Sequence, residues 1–353
     1  MHFSEPDHPL QPCWDLAVAA VQADALACAI DAGLFERLRQ GSDAAAIAAA
    51  LQWKPHAAAH LLELLWTLRL LERDTLDAVD DPTRRHRYRS APVARQYLDR
   101  ASPSWCGDAW LYRLRSLRHF GAALGQHLTV DAPVPAGQKE SFHTGRANDW
   151  AQAARVQIGQ EQRAVTVAAA LDIVTRLPEF AGVRHGLDLG GGPGWVAIAL
   201  ARQQAEARFT VFDWPETVAV AQENIEREGL AARMRTLAGD LAHDDIGAGY
   251  DLVWCSLVLY FMADQDAALR KMFDALAPGG VLVCVHAALS DDAAADARVA
   301  PYYLPMRMLG RSVPPVGELE QRLRRIGFTG IERSVRHDFP MAPVQVLTAR
   351  RPA

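Results

Sequence analysis

The sequence predicts a mainly helical N-terminal region followed by an α/β region with a seven-stranded sheet. Three observations support this fold class. His185–Asp213 has the pattern of a strand, a glycine-rich turn, a helix and a second strand. Strand-like and helix-like segments keep alternating after it, which is typical of a parallel sheet covered by helices. The last segment, Gly330–Arg350, has the pattern of two strands joined by a proline-containing turn and predicts an antiparallel edge.

The N-terminal region has the outline of a winged helix. The pattern is helical from Trp14 to about Asp74, with a possible helix cap at Ser42, and Thr75–Ala91 predicts two short strands around an Asp-Pro turn. Arginines on this hairpin raise the possibility of DNA binding. The helix that would enter the groove is nearly all Leu, Ala and His, however, with few groups to contact bases or phosphates. We therefore favour a dimerisation surface.

The middle of the chain is also predicted to be helical. Helical signals run through Pro103–Leu128, and Asp131–Gln138 has the composition of a linker. A long helix is expected from Asp149 to about Leu187, leading into the glycine-rich turn. The predicted division is therefore residues 1–100, residues 101–180 as a helical linker and acceptor-pocket region, and residues 181–353.

The α/β region continues after Asp213 with alternating elements. The remaining pattern predicts helices over Thr217–Leu230, Asp264–Gly280 and Gly317–Phe328, and strands over Met234–Gly239, Asp251–Tyr260 and Val281–Leu289. The strand from Asp251 has almost no polar residue, as expected for a position covered on both faces.

The glycine spacing in the turn separates two classes of ligand. The dinucleotide fingerprint is GxGxxG, whereas here the glycines follow GxGxG and Trp195 stands where the last glycine would be. Asp188 precedes the turn, where it would repel a pyrophosphate, and Asp213 follows the second strand, where a carboxylate can hold ribose hydroxyls. Two acids around such a turn suit a ligand with a sulfonium and a ribose, and S-adenosylmethionine has both.

Composition narrows the class of protein further. Of the 353 residues, half are hydrophobic and 22% are charged, and the net charge of −5 gives no overall basic surface for nucleic acid. No apolar run approaches the ~20 residues that span a membrane, and the first residues lack the pattern of a signal peptide. The five scattered cysteines indicate reduced thiols in a cytoplasmic protein. We expect neither a nucleic-acid partner nor a membrane.

With these motifs in view, the chain resembles the class I S-adenosylmethionine-dependent small-molecule O-methyltransferases, such as the caffeate and acetylserotonin methyltransferases. The likeness covers nearly the whole chain. It rests together on DLGGGPG (Asp188–Gly194), FDWPET (Phe212–Thr217), GDL (Gly239–Leu241), and ALAPGGVLVCV (Ala275–Val285) with GRS (Gly310–Ser312). The resemblance implies a Rossmann-like seven-stranded methyltransferase sheet, a winged-helix-like dimerisation domain and a homodimer.

The resemblance also implies roles for individual residues. Gly190 and Gly192 would pass close to the methionyl part of S-adenosylmethionine, and Asp188 would help to hold its amino group. The remaining cofactor contacts would come from Asp213 to the ribose, Trp214 to the adenine face, Asp240 and Leu241 to the adenine edge, and Ser256 to the carboxylate end.

This sequence departs from the family pattern where the chemistry is expected. Tyr260 stands where family members usually have the histidine that deprotonates the acceptor, and Phe261 replaces its aspartate neighbour. His286 and Ser312 stand where acids are usual. With an ordinary pKa near ~10, Tyr260 better suits a hydrogen-bond donor or an aromatic wall. His286 follows a central strand and titrates near ~6.5, so it is a candidate base or ligand anchor.

The acceptor is expected to be flat and apolar. In the family the segment Pro301–Leu309 lines the acceptor pocket, so Met306 there, together with Trp150 and Tyr260, is expected to contact it. His243, Asp244 and Asp245 suggest a metal at first sight, but no second cluster lies at ligand spacing, and no metal is expected.

The function expected from these observations is methyl transfer from S-adenosylmethionine to a hydroxyl of a small aromatic or heteroaromatic metabolite, in secondary metabolism. Because the usual base is missing, methyl transfer to nitrogen or carbon stays open, as does a non-methylating hydroxylase or decarboxylase of the same plan. A more distant alternative is a winged-helix regulator that senses S-adenosylmethionine.

Overall fold

The computed structural model describes residues 8–76, 80–129, 149–290 and 292–353. The predicted linker Asp131–Gln138 lies outside these residues. The chain divides into two compact units, Met1–Leu114 and Arg115–Ala353.

The first unit is a small helical bundle with one hairpin. Its elements are α1 (Gln11–Asp31), α2 (Leu34–Arg37), α3 (Ala44–Leu51), α4 (Pro55–Thr67), β1 (Leu71–Thr75), β2 (His86–Ser90) and α5 (Pro92–Tyr97). The strands pair antiparallel. Leu34, Phe35, Leu62 and Leu65 are fully buried and form the centre of its core. The predicted hairpin is present, but it begins four residues earlier, at Leu71.

The cap predicted at Ser42 is wrong by one residue. Asp43 caps α3, because its Oδ1 accepts a hydrogen bond from the backbone N–H of Ala46 at 2.7 Å. Ser42 is instead held in backbone pairing with Tyr88, donating to the Tyr88 carbonyl at 2.9 Å.

Helix α1 leaves most of its apolar side chains uncovered. Only Ala29 and Ile30 are buried, whereas Leu16 is 76% exposed and Val21 is 61% exposed. By length and composition alone this helix is apolar enough to cross a membrane, with a mean hydropathy of 1.5 in its most apolar window. The expectation that no apolar run approaches this length is therefore wrong for α1.

Helices lead from the first unit into the second. They are α6 (Gly107–Ala122), α7 (Leu124–Thr129), α8 (Asp149–Ala153), α9 (Gly159–Glu161) and α10 (Val167–Val174). Two π-helical stretches, Ala154–Ile158 and Gln162–Thr166, join α8, α9 and α10 into one continuous rod. The rod ends at Val174, well before the predicted Leu187, because Leu177 is extended and Pro178 opens a 3-10 turn.

The second unit contains the predicted sheet. Its elements are β3 (His185–Leu189), α11 (Trp195–Gln203), β4 (Arg208–Asp213), α12 (Pro215–Arg227), β5 (Met234–Ala238), β6 (Tyr250–Ser256), α13 (Gln265–Ala275), β7 (Leu276–His286), α14 (Ala293–Asp296), α15 (Val299–Met308), α16 (Glu318–Ile326), β8 (Thr329–Arg336) and β9 (Val344–Arg350). The strand order is β5-β4-β3-β6-β7-β9-β8. Strand β9 is antiparallel to both of its neighbours, and the other pairs are parallel. The seven-stranded sheet with an antiparallel edge is confirmed.

Several boundaries differ from the prediction: β7 spans Leu276–His286 rather than Val281–Leu289, α12 spans Pro215–Arg227 rather than Thr217–Leu230, and β6 and α13 end early. Strand β6 ends at Ser256 rather than Tyr260, because Leu257 turns into the left-handed region at φ +59° and Leu259–Phe261 forms a 3-10 turn. Helix α13 ends at Ala275 rather than Gly280, since β7 already begins at Leu276. The Arg351 guanidinium binds the carboxyl end of this helix, donating hydrogen bonds to the carbonyls of Phe273, Asp274 and Leu276.

Apolar layers cover both faces of the sheet. One core layer joins β4, β6, β7 and β9 to α10, α11 and α12, and the other joins the sheet to α13 and α16. The carboxyl ends of β3, β4, β5 and β6 therefore meet at one edge, where ligands bind in parallel α/β sheets.

Candidate functional site

The glycine turn after β3 passes its neighbours too closely for side chains. Gly190, Gly192 and Gly194 all have positive φ, at +67°, +59° and +78°. A Cβ on Gly190 would lie 2.4 Å from Cγ2 of Val258, and a Cβ on Gly191 would lie 2.7 Å from Cγ of Asp188. The turn thus exposes bare backbone, and Val258 brings the segment after β6 against it.

Asp188 and Asp213 lie on either side of this turn with raised pKa values. Asp188 is 3% exposed and accepts a hydrogen bond from Ala197 N–H at 3.3 Å; burial, with a smaller contribution from Asp213, raises its pKa to about 7. Asp213 accepts from Gly192 N–H at 2.8 Å and from Trp214 N–H at 2.7 Å, and burial raises its pKa to about 6. A cation bound here would favour the charged form of both acids.

An open cleft lies at the ends of β4 and β5. Its volume is about 520 Å³, and it is lined by Trp214, Pro215, Glu216, Gly239, Asp240, His243 and Asp244. Both Asp240 oxygens make contacts within their own loop, with Ala242 N–H at 2.9 Å and His243 Nδ1 at 2.8 Å. Leu241 is 5% exposed. The Lys271 ammonium fixes this loop from α13 by donating to the carbonyls of Leu241 and Asp244, both at 2.8 Å.

Gln162 is a site residue that the sequence reasoning missed. Its Nε2 donates to the Gly191 carbonyl at 3.1 Å, and its Oε1 accepts from Trp195 N–H at 3.1 Å. One side chain thereby joins both ends of the glycine turn. It comes from the second π-helical stretch of the rod, and π-helical segments frequently occur at functional sites. Gln162 stands in a run of polar residues, Gln160 to Arg163, so the sequence carries no signal that singles it out.

The predicted acceptor residues fall into one aromatic cluster, which we define as Trp150, Tyr260, Phe261 and Tyr303. Ring centroids are 5.3 Å apart for Trp150 and Phe261, 4.5 Å for Tyr260 and Phe261, and 5.5 Å for Tyr260 and Tyr303. Met306 and Ala287 are buried against this cluster. Ser256, the last residue of β6, is half-buried and opens the segment that carries Tyr260 and Phe261.

His286 is separated from the acids, at the end of β7. It is 3% exposed and lies on the face that Leu282 and Cys284 share with α16. Burial lowers its pKa, opposed by its hydrogen bond to the Ala287 carbonyl and by Glu320. Nδ1 lies 2.9 Å from that carbonyl, so Nδ1 carries the proton of the neutral ring. Nε2 is buried and has no hydrogen-bond partner in the described part of the chain.

The described residues contain no group of three or more His, Cys, Asp or Glu side chains that could hold a metal ion. His243 and Asp244 instead stabilise their own loop: Asp244 accepts from Asp240 N–H at 2.8 Å, and Asp245 accepts from Gly247 N–H at 2.9 Å.

Comparison with known proteins identifies both parts of the chain. Residues 160–333 match a family model described as a methyltransferase domain, and residues 14–100 match an O-methyltransferase dimerisation domain. The 3-hydroxy-5-methyl-1-naphthoate 3-O-methyltransferase of Streptomyces sahachiroi is 30% identical over 79% of this chain and 77% of its own. The N,N-dimethyltransferase OxyT of Streptomyces rimosus is 27% identical over 79% of this chain and 78% of its own.

Solved structures extend the similarity of fold to the full length. Human N-acetylserotonin methyltransferase, solved in complex with S-adenosylmethionine, matches with a TM-score of 0.74 and 20% identity over 100% of both chains.

Proposed function

The chain belongs to the S-adenosylmethionine-dependent O-methyltransferases that carry an N-terminal dimerisation domain, and from that premise we propose that it methylates a hydroxyl of a small aromatic or heteroaromatic metabolite. The observation that carries this proposal is the glycine turn between two acids of raised pKa, beside an aromatic cluster. When bound, S-adenosylmethionine supplies a methyl group on a positively charged sulfur.

The donor fits the residues at the ends of β3, β4 and β5. Gly190 and Gly192 would pass close to the methionyl part, and Asp188 would pair with its amino group. Each Asp213 oxygen accepts one backbone hydrogen bond and keeps a lone pair for a ribose hydroxyl. Trp214 would lie against the adenine, Asp240 and Leu241 would line its edge, and Ser256 would contact the carboxylate end.

The acceptor is proposed to lie against the aromatic cluster and Met306. Stacked and edge-to-face aromatic contacts suit a flat ring and fix its orientation. Alignment of the acceptor oxygen with the reactive carbon alone supplies on the order of 7–11 kcal/mol in well-oriented systems. The naphthoate named for the Streptomyces sahachiroi relative is an aromatic compound of this kind.

Two residues are candidates for handling the acceptor proton. Tyr260 lies in the aromatic cluster and can donate a hydrogen bond to the acceptor oxygen or act as a wall. His286 holds an unprotonated Nε2, the right state for a base, but on the α16 side of the sheet. An acceptor whose hydroxyl is already ionised needs neither.

The variants His286→Gln and Tyr260→Phe separate these roles. If His286 takes the proton, His286→Gln lowers kcat by 10²-fold or more while the affinity for S-adenosylmethionine is unchanged. If Tyr260 is a wall, Tyr260→Phe keeps at least half of the wild-type kcat. Steady-state kinetics with calorimetric cofactor binding measure both. An unchanged kcat in His286→Gln removes this histidine from the chemistry.

A homodimer through the N-terminal unit is part of the proposal. The match to a dimerisation domain and the exposed apolar side chains of α1 support it, since a second copy would cover them. We also propose a cytoplasmic location, with a winged-helix-like N-terminal domain that binds neither nucleic acid nor a membrane.

The direct test uses S-adenosylmethionine with a labelled methyl group and a panel of phenols, heterocycles and aromatic amines. Mass spectrometry should find the label on oxygen of a hydroxyarene. Label on nitrogen or carbon would support the alternatives, which include relatives such as the N,N-dimethyltransferase OxyT. Oxidised or decarboxylated acceptor without label would support the non-methylating alternative. Cofactor binding with tight DNA binding at low salt and no turnover would support a regulator.

A further inference from the structure

We infer that Arg311 selects an acceptor that carries a negative charge, such as a hydroxyarene carboxylate, by pairing with that charge beside the aromatic cluster. This inference rests on the proposed function and adds a substrate class to it.

Arg311 is held against the aromatic cluster from the turn that follows α15. Its Nη1 donates to the Phe261 carbonyl at 2.5 Å, and its Cζ lies 5.7 Å from the centre of the Phe261 ring. Its own backbone N–H donates to the carbonyl of Met306 at 3.0 Å. Gln265 ties the two segments together, because its Nε2 donates to the carbonyls of both Leu259 and Ser312. The guanidinium therefore has a fixed position at the proposed acceptor site.

The charge of Arg311 is not neutralised by the described part of the protein. The side chain is partly buried, burial lowers its pKa, and no described carboxylate lies within salt-bridge distance. Other partly buried arginines of this unit are paired: Arg322 with Asp266 and Glu318, Arg336 with Asp172 and Asp338, and Arg350 with Glu179.

Two other partly buried arginines of this unit have no carboxylate partner among the described residues, and their N–H donors bind backbone carbonyls instead. Arg233 and Arg351 each donate to three backbone carbonyls. Arg311 donates to one. A guanidinium has five N–H donors in a planar fork that fits a carboxylate, and a desolvated cation is costly unless it is paired. An anionic ligand would supply the missing partner.

This assignment also bears on the missing base. The residues proposed to lie beside the acceptor include Tyr260, Phe261 and Arg311. Arg311 brings a positive charge to this place, and neither of the other two residues is a carboxylate. A cation near the acceptor lowers the pKa of a phenol, because it favours the ionised form. Arg311 would thus both select an anionic acceptor and favour the phenolate that accepts the methyl group.

The test compares 6-hydroxy-2-naphthoate with its methyl ester, which differ by one negative charge. Binding to the complex with S-adenosylhomocysteine is measured by calorimetry, and methylation by mass spectrometry. The wild-type protein should bind the carboxylate at least tenfold more tightly than the ester. Arg311→Met should remove most of that difference by weakening carboxylate binding only, and Arg311→Lys should restore part of it. Arg324→Met, which removes an exposed charge from α16, is the matched control.

The outcomes separate the two proposals. Equal affinities for carboxylate and ester in the wild type, or equal losses for both in Arg311→Met, overturn the role of Arg311 as an anion selector and leave it as a support of the Leu259–Phe261 turn. Arg311-dependent preference for the carboxylate without transfer of the methyl group supports the inference and counts against the proposed reaction on this acceptor. Unchanged affinity for S-adenosylhomocysteine shows that each variant is folded.

Discussion

At the scale of single residues, the donor site of the free protein contains a buried acid, Asp188, whose charged form is destabilised by burial. Asp188 is buried with a backbone N–H as its hydrogen-bond donor, and Asp213 adds a second acid nearby. Burial of the charged carboxylate without a cation is unfavourable, which is why its pKa rises. Pairing with a cationic ligand would recover this free energy and turn it into affinity.

The stability of the free protein should therefore depend on Asp188 and pH in a defined direction. The folded pKa of about 7 lies above the unfolded value of 3.8, so the folded state binds more protons between these values and loses stability as the pH rises. Asp188→Asn carries no such cost. It should be the more stable protein at pH 8, by on the order of 2–4 kcal/mol, and lose this advantage towards pH 4. Thermal unfolding across this pH range measures it.

The control for this experiment is Asp274→Asn, which changes an exposed acid of the same unit. Its unfolding temperature should follow that of the wild type. Asp188→Asn should also bind S-adenosylmethionine at least tenfold more weakly at pH 8. If it were instead less stable than the wild type at pH 8, the burial cost assigned to Asp188 would be incorrect.

The affinity of the wild type for the donor has its own pH dependence. Because a cationic ligand binds best when Asp188 and Asp213 are ionised, the Kd should fall as the pH rises from 5.5 to 8, through pKa values of about 6 and about 7. Ionisation of both acids over this range predicts a decrease in Kd on the order of 100-fold. Calorimetry in matched buffers measures the change, and a Kd that rises with pH over this range would contradict the assignment of these acids to the donor site.

At the scale of elements, the rod from α8 to α10 does more than cover the sheet. Its second π-helical stretch turns Gln162 towards the glycine turn, and the Gln162 amide joins Gly191 to Trp195. The turn is thus held in shape before a ligand arrives, which lowers the ordering cost of binding.

Gln162→Ala should weaken the binding of S-adenosylhomocysteine by about tenfold, since the turn would no longer be fixed at both ends. Loss of the two hydrogen bonds should cost about 1–3 kcal/mol in unfolding free energy. Gln162→Glu keeps the acceptor for Trp195 N–H but turns a carboxylate towards the Gly191 carbonyl, so it should not restore affinity. Calorimetry tests this, with Gln152→Ala on the exposed side of α8 as the control. Equal affinities in Gln162→Ala and the wild type would contradict it.

The elements also show what sequence patterns can and cannot predict. Apolar periodicity and glycine spacing predict the strand, helix and strand that form β3, α11 and β4, because these elements pack directly on the core. They misplace the end of β6, because the apolar run from Asp251 to Tyr260 does not indicate that Leu257 takes a positive φ. They also miss Gln162, Lys271 and Arg311, because a single polar side chain has no period and its role depends on contacts made across the fold.

At the scale of the whole molecule, the exposed apolar surface of α1 is the feature from which we expect a homodimer. Its exposed leucine and valines form apolar surface on the unit that matches a dimerisation domain. The double variant Leu16→Glu with Val21→Glu should convert the protein from the mass of two chains to that of one in light scattering after size exclusion. Leu128→Glu, a change of a leucine that is 73% exposed on α7, is the control. A double variant that still elutes as a dimer would place the interface elsewhere.

The position of β9 affects how the protein is made. Strand β9 pairs between β7 and β8, yet roughly sixty residues separate it from the end of β7 along the chain. At about 5–20 residues per second, a ribosome takes several seconds to synthesise that interval, whereas hairpins form in microseconds. A nascent chain therefore carries the unpaired edge of β7 for seconds before β9 can pair with it.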